Sequence, residues 1–204
     1  MNSTLVWYTS RASGIVAWAL LAGSVLWGLF MSTRLAETVR RRAWLLDLHR
    51  FLGAGALVFV VVHVSSILLD TYTHFGLTEV LVPLTGSWRP GAVAWGIVAM
   101  YLLVALEVTS LLRRVVPRRV WRRTHYLSFP LFAFATIHGL AAGTDRHSAA
   151  LRIAFYSVSW AAGVLVVMRA VTARRARADA LTELARDRGR LPLDGAGASL
   201  PRSG

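Results

Sequence analysis

Cysteine is absent from all 204 residues, which excludes disulfides, thiolate metal sites, Cys-ligated iron–sulfur clusters, covalent c-type haem attachment and a cysteine nucleophile. Charge is scarce: charged side chains make up 16% of the chain and hydrophobic ones 55%, whereas soluble domains carry about 25% charge. With a mean hydropathy of +0.52, the composition is that of a membrane protein. Acids are scarcer still, 10 against 23 basic residues, every one of which is arginine. No Gly-rich phosphate loop follows a strand-like run, and a membrane bundle of this length leaves no room for a nucleotide-binding domain, so nucleotide chemistry is expected from a partner. Nothing repeats at a fixed long period, which argues against a solenoid or an inverted-repeat transporter.

What the chain has is apolar runs, and a span needs about 20 apolar residues. Five runs lie between charged positions: 12–33, 51–69, 90–112, 124–144 and 153–168. The third is broken only by Glu107, and the last is short unless Arg152 and Arg169 snorkel outward. The expected fold is all-α, a polytopic membrane helical bundle of about five transmembrane helices. The first run is too long for a signal peptide and lacks its basic leader and small-residue cleavage site, so it is expected to stay in the mature chain.

Arginine placement sets the expected orientation. Segment 34–50 holds five (Arg34, Arg40, Arg41, Arg42, Arg50), segment 113–123 six, and the stretch from Arg169 onward eight, leaving only Arg11, Arg89, Arg146 and Arg152 on the other side. Cytoplasmic loops retain basic residues, so the N-terminus is expected outside, the C-terminus in the cytoplasm, and the second and fourth spans both run outward. Trp7, Tyr8, Trp44, Trp88 and Trp121 fall near the expected interfaces, as aromatic belts do. This topology in the cell membrane explains a pI near 11.7 with the lipid bilayer as partner and no nucleic acid. Residues 1–171 are expected to form the transmembrane domain and 172–204 a basic cytoplasmic tail, helical through 190 and then disordered. The outer segment 70–89 is half apolar and long for a connection, which suggests an ordered cap or a re-entrant piece.

Four of the six histidines sit in or beside two spans: His49 and His63, then His125 and His138. Spacings of 14 and 13 residues separate each pair by roughly 20 Å along a helix, so the members of one pair cannot share a metal ion. Because the two spans run the same way, His49 and His125 share the cytoplasmic level and His63 and His138 the outer one. Two imidazoles are too few for zinc but suffice as axial ligands where a porphyrin supplies the other four nitrogens. Two levels then suit two noncovalent b-type haems, with Arg50, Arg122 and Arg123 placed to neutralise the propionates of the inner one. A 13-residue spacing leaves the two side chains about 140° apart on a regular helix, so local tightening or a kink is expected at Pro130.

At these residues, in WLLDLHRFLG, VVVHVSS, WRRTHYLSFP and ATIHGLAAGTD, the chain resembles the ferric reductase-like transmembrane domain family, over roughly residues 40–145. That family includes the membrane cytochrome of NADPH oxidases and the haem-binding membrane subunit of the bacterial methionine sulfoxide reductase system. The resemblance implies His49 with His125 on an inner haem iron and His63 with His138 on an outer one. It implies an electron-transfer component of an oxidoreductase, passing electrons from a cytoplasmic flavoprotein reductase or quinol to an extracytoplasmic acceptor or partner reductase. The tail from Thr172 to Gly204 is too short for an FAD or NAD(P)H domain, so any flavin or quinone is expected from a partner.

Glu107 is the only acid inside a span. It is read as a buried partner for Arg50 or a neighbouring arginine ahead of a proton or quinone-headgroup site. His74 and His147 are read as loop residues without a role, and Phe129, Phe132 and Phe134 as packing residues. The rival from another class is a non-redox transporter or anchor subunit whose histidines are structural.

Overall fold

The computed structural model describes residues 3–32, 43–70, 75–144 and 147–190, with side chains from 4 through 186. Among them helix is the regular structure, without strands: α1 (Ser3–Met31), α2 (Ala43–Leu69), α3 (Leu77–Leu81), α4 (Pro90–Leu111), α5 (Arg118–His125), α6 (Ser128–Ala142) and α7 (Ala149–Arg190). Four of these, α1, α2, α4 and α7, are long and apolar enough to cross a membrane. An uninterrupted helix satisfies every backbone polar group within its own segment, which hydrocarbon requires.

The crossing expected over 124–144 is not one continuous helix. Its 15-residue core, α6, rises about 22 Å and is not by itself a full span of a roughly 30 Å hydrocarbon layer. The break lies at Tyr126 and Leu127, just ahead of the position expected. Tyr126 N–H donates to Arg123 O, Leu127 N–H to Thr124 O and Phe129 N–H to Tyr126 O, at 3.2, 2.9 and 3.2 Å. These three-residue closures wind by about 120° per residue instead of 100°. The extra rotation takes up much of the mismatch between His125 and His138. Pro130 then falls in the first turn of α6, where a missing N–H leaves no intrahelical bond unmade.

α1 packs antiparallel along α2 and α6 along α4, while α1 also touches α6 and α7. Leu21, Val25, Leu103, Leu131 and Phe132 fill the middle of the bundle, with Ala22, Ala56 and Ala99 between them. Small residues at these crossings let helices approach closely where lipid gives no hydrophobic drive for association. Trp18 ties three helices together: its Nε1–H donates to Thr136 Oγ1 at 3.1 Å, and its ring centre lies 4.0 Å from that of Phe155. Phe134 packs on Trp95 at 4.7 Å, and Phe129 lies against the core.

Residues 75–89 form an ordered cap rather than a re-entrant helix. Gly76 N–H donates to Glu79 Oε2 at 2.8 Å, Tyr101 Oη–H to Leu81 O at 2.6 Å, and Phe75 meets Trp88 edge to face. Arg89 closes the cap from a left-handed conformation (φ 43°). Its Nη1–H donates to Ala141 O at 2.8 Å, at the end of α6. Helix α7 continues unbroken past 171 to Arg190. Expectations for Arg34, Arg40, Arg41, Arg42, His74, Arg146 and the 191–204 tail lie outside the described residues.

Candidate functional site

The bundle brings the four span histidines together in two pairs. His49 on α2 faces His125 at the end of α5 with ring centres 5.9 Å apart and planes at 70°. About four helical turns further along α2, His63 faces His138 on α6 at 6.4 Å and 79°. The pairs occupy two levels because α2 and the α5–α6 unit run in the same direction. Among the described residues no group of three or more His, Cys, Asp or Glu converges on a point, so each level offers two imidazoles and no third donor.

Three of the four rings rest in the same kind of cradle. His63 Nδ1–H donates to Ser10 O at 2.8 Å, His49 Nδ1–H to Ser24 O at 3.1 Å and His138 Nδ1–H to Ala92 O at 2.8 Å. Four residues after each acceptor stands a glycine, Gly14, Gly28 and Gly96, against which the ring lies. A Cβ at those glycines would meet the ring at 3.0, 3.2 and 2.6 Å respectively. The physical logic is local: one helical turn beyond a carbonyl, the same face is bare only if the residue there is glycine. A carbonyl oxygen can only accept, so Nδ1 carries the proton and Nε2 keeps its lone pair.

His125 is the exception. Its Nδ1 is buried without a hydrogen-bond partner, as is Trp121 Nε1, and the two rings stack at 5.0 Å and 20°. Arg113 covers Trp121 at 5.1 Å.

A cavity of about 680 Å³ opens beside the second pair, and its lining includes Gly14, Trp18, His63, Gly96, Leu131 and His138 together with Arg11, Trp88 and Arg152. Its size and largely apolar wall suit an organic ligand.

The family described as ferric reductase like transmembrane component matches residues 13–136. The chain belongs to that family. No curated protein and no solved structure matches the chain. Ferric reductase-like domains generally bind haem, and the matched residues include His49, His63 and His125 together with Gly14, Gly28 and Gly96. His138 falls two residues beyond the match.

In this ferric reductase-like component the expected arginines sit at one end of the bundle. Arg50 is exposed and leans on Asp47 at 3.5 Å; Arg122 and Arg123 are exposed on α5. Glu107 does not have the arginine partner expected of it: among the described residues it makes no ion pair, and its carboxylate lies 2.6 Å from where a Cβ on Gly53 would stand, with Ser24 Oγ close by. His147 lines a shallow depression with Leu140, Arg152 and Tyr156. Sequence reasoning missed the cradle. Its signal was present: Ser10 and Gly14 recur as Ser24 and Gly28 after 14 residues, the same interval as His49 to His63.

Proposed function

We propose that the chain is a di-haem b-type cytochrome of the cell membrane, moving electrons from a cytoplasmic donor to an extracytoplasmic acceptor or partner reductase. The carrying observation is the pairing distance. With metal–imidazole bonds of about 2.0 Å, an iron shared by two rings sets their centres roughly 6.2 Å apart; the two pairs stand at 5.9 and 6.4 Å. His49 and His125 would hold the inner iron, His63 and His138 the outer one. A bound haem b supplies a one-electron ferric/ferrous couple.

The chain's own residues do the rest. The carbonyls of Ser10, Ser24 and Ala92 fix each ring's tautomer and rotation and make its free nitrogen a better donor, the role carbonyls play behind metal-bound histidines. Gly14, Gly28 and Gly96 let the rings lie flush on the backbone. The buried leucines, alanines and Phe132 between the levels exclude water, which keeps the sites at low dielectric. Arg50, Arg122 and Arg123 would offer charge to the inner propionates, and Arg11 and Arg152 line the cavity at the outer pair. The nineteen arginines of segments 34–50, 113–123 and the tail favour a cytoplasmic face for the inner level, where a reduced flavoprotein or a quinol would dock.

The cavity beside His63 and His138 favours one rival, a non-redox transporter using it as a substrate pocket. Pyridine haem quantification with a reduced-minus-oxidised spectrum on detergent-purified protein separates the two. The expected yield is about two b haems per chain, the count that two axial histidines per iron require. It falls by one in His49→Ala and by the other in His63→Ala. Protein without haem, produced with ample haem supply, sinks the cytochrome and leaves the transporter.

A further inference from the structure

Two buried side-chain nitrogens in the described chain lack a hydrogen-bond partner, Trp121 Nε1 and His125 Nδ1, and both belong to one stacked pair. An unmade hydrogen bond at a buried donor costs about 1–3 kcal/mol, so two at one place mark an absent acceptor. Indole N–H can only donate. On the haem-ligand reading, on which this inference rests for its His125 part, Nε2 faces the iron and Nδ1–H is a second donor on the far side of the ring. The other three histidines have a carbonyl at that position; this one has none.

The surroundings say what kind of acceptor is missing. Arg113 covers Trp121 at 5.1 Å, and Arg114, Arg118, Arg119, Arg122 and Arg123 are exposed on the same stretch of chain. No acidic residue occurs anywhere in 108–144, so the local chain offers no carboxylate to answer them. The short basic helix α5 joins the apolar helices α4 and α6, which puts its arginines and Trp121 at headgroup depth.

We infer that Trp121, His125 and the arginines of α5 bind a phosphate oxygen, that of an acidic phospholipid headgroup. Behind an iron-bound imidazole, an anionic acceptor at Nδ1–H strengthens donation to the metal and favours the ferric state. Lipid composition therefore tunes one haem and leaves the other alone. Free phosphate offers the same oxygen, and the experiment separates the sources.

The haem-loaded full chain is placed in nanodiscs of phosphatidylcholine, of phosphatidylcholine with phosphatidylglycerol, and of phosphatidylcholine with inorganic phosphate added. Native mass spectrometry counts retained acidic lipid whether or not haem is bound, and redox titration follows both midpoint potentials. Phosphatidylglycerol is expected to bind and to lower the potential of the haem that His49→Ala removes, and Trp121→Phe to weaken that binding about tenfold, the worth of one hydrogen bond to a charged group. Inorganic phosphate producing the same shift assigns the site to free phosphate. Should Trp121→Phe fail to fold, Arg118→Gln with Arg119→Gln, outside the haem set, must weaken retention in its place. The inference is overturned if neither source moves a potential or is retained in a Trp121- or arginine-dependent way, or if Trp121→Phe shows the full shift. A wild-type chain without haem refutes the cytochrome reading, while lipid retention still decides whether Trp121 and the arginines form a site.

Discussion

The glycine cradle can be tested by adding one methyl group. An alanine Cβ at position 96 would stand 2.6 Å from His138 Nδ1, 2.7 Å from Cε1 and 2.9 Å from Cγ, where atoms in contact need about 3.5–4.0 Å. The ring has to withdraw by roughly 1 Å. That carries Nδ1 from 2.8 Å to beyond hydrogen-bond range of Ala92 O. The lost bond is worth about 1 kcal/mol and the crowding about 1–3 kcal/mol. Taken together, about 2–4 kcal/mol corresponds to a loss of roughly 30- to 900-fold in haem affinity at that level only. The same change raises helix propensity by about 1 kcal/mol, so α4 itself is not weakened and unfolding is not the cause of a loss. Gly96→Ala should therefore retain one haem of two by pyridine haemochrome, with the remaining redox transition belonging to the His49–His125 level. Gly163→Ala is the control, since nothing lies within 4 Å of its Cβ position. If Gly96→Ala keeps both haems with unchanged potentials, or Gly163→Ala loses as much, the cradle reasoning is refuted.

Gly14→Ala and Gly28→Ala should follow in weaker order, since their Cβ positions clear the rings by 3.0 and 3.2 Å; haem release rates measured with apomyoglobin as a scavenger rank the three. Arg89→Ala removes the charged hydrogen bond to Ala141 O and should cost about 1.5–3 kcal/mol, read as a lower midpoint in detergent by circular dichroism. Arg89→Gly should cost about 1 kcal/mol less, because glycine relieves the left-handed backbone at φ 43°; equal losses would contradict that account. Trp18→Phe deletes the donor to Thr136 Oγ1 and should destabilise by about 1 kcal/mol with both haems retained. Arg122→Gln with Arg123→Gln withdraws positive charge near the inner level and should lower one midpoint potential while leaving the second transition in place; a shift of both would argue against the assignment.

The membrane bundle, its expected orientation and the two histidine levels were legible in the sequence because each rests on a one-dimensional signal: apolar run length, arginine asymmetry, and intervals of 14 and 13 residues on helices of known rise. The family resemblance rested on the same four histidine segments. The tightened turn at Tyr126 and Leu127 is local too, since Pro130 forbids the regular bond and the preceding residues shorten theirs. Other features depend on residues distant in sequence meeting in space. Glu107 reads as an arginine partner by polarity alone, and only packing sets it against Gly53.

The order of residues along the chain was enough to say which runs become helices and at which levels the four histidines stand, since hydrocarbon leaves the backbone no choice but helix. The tertiary structure decided which surfaces meet: that α1, which bears no histidine, supplies the carbonyls and bare glycines behind two of the four rings, that α4 does so for a third, and that His125 alone has no acceptor. A hydrogen bond from Ser10 O to His63 spans 53 residues, and nothing short of helix-on-helix packing brings those two atoms together.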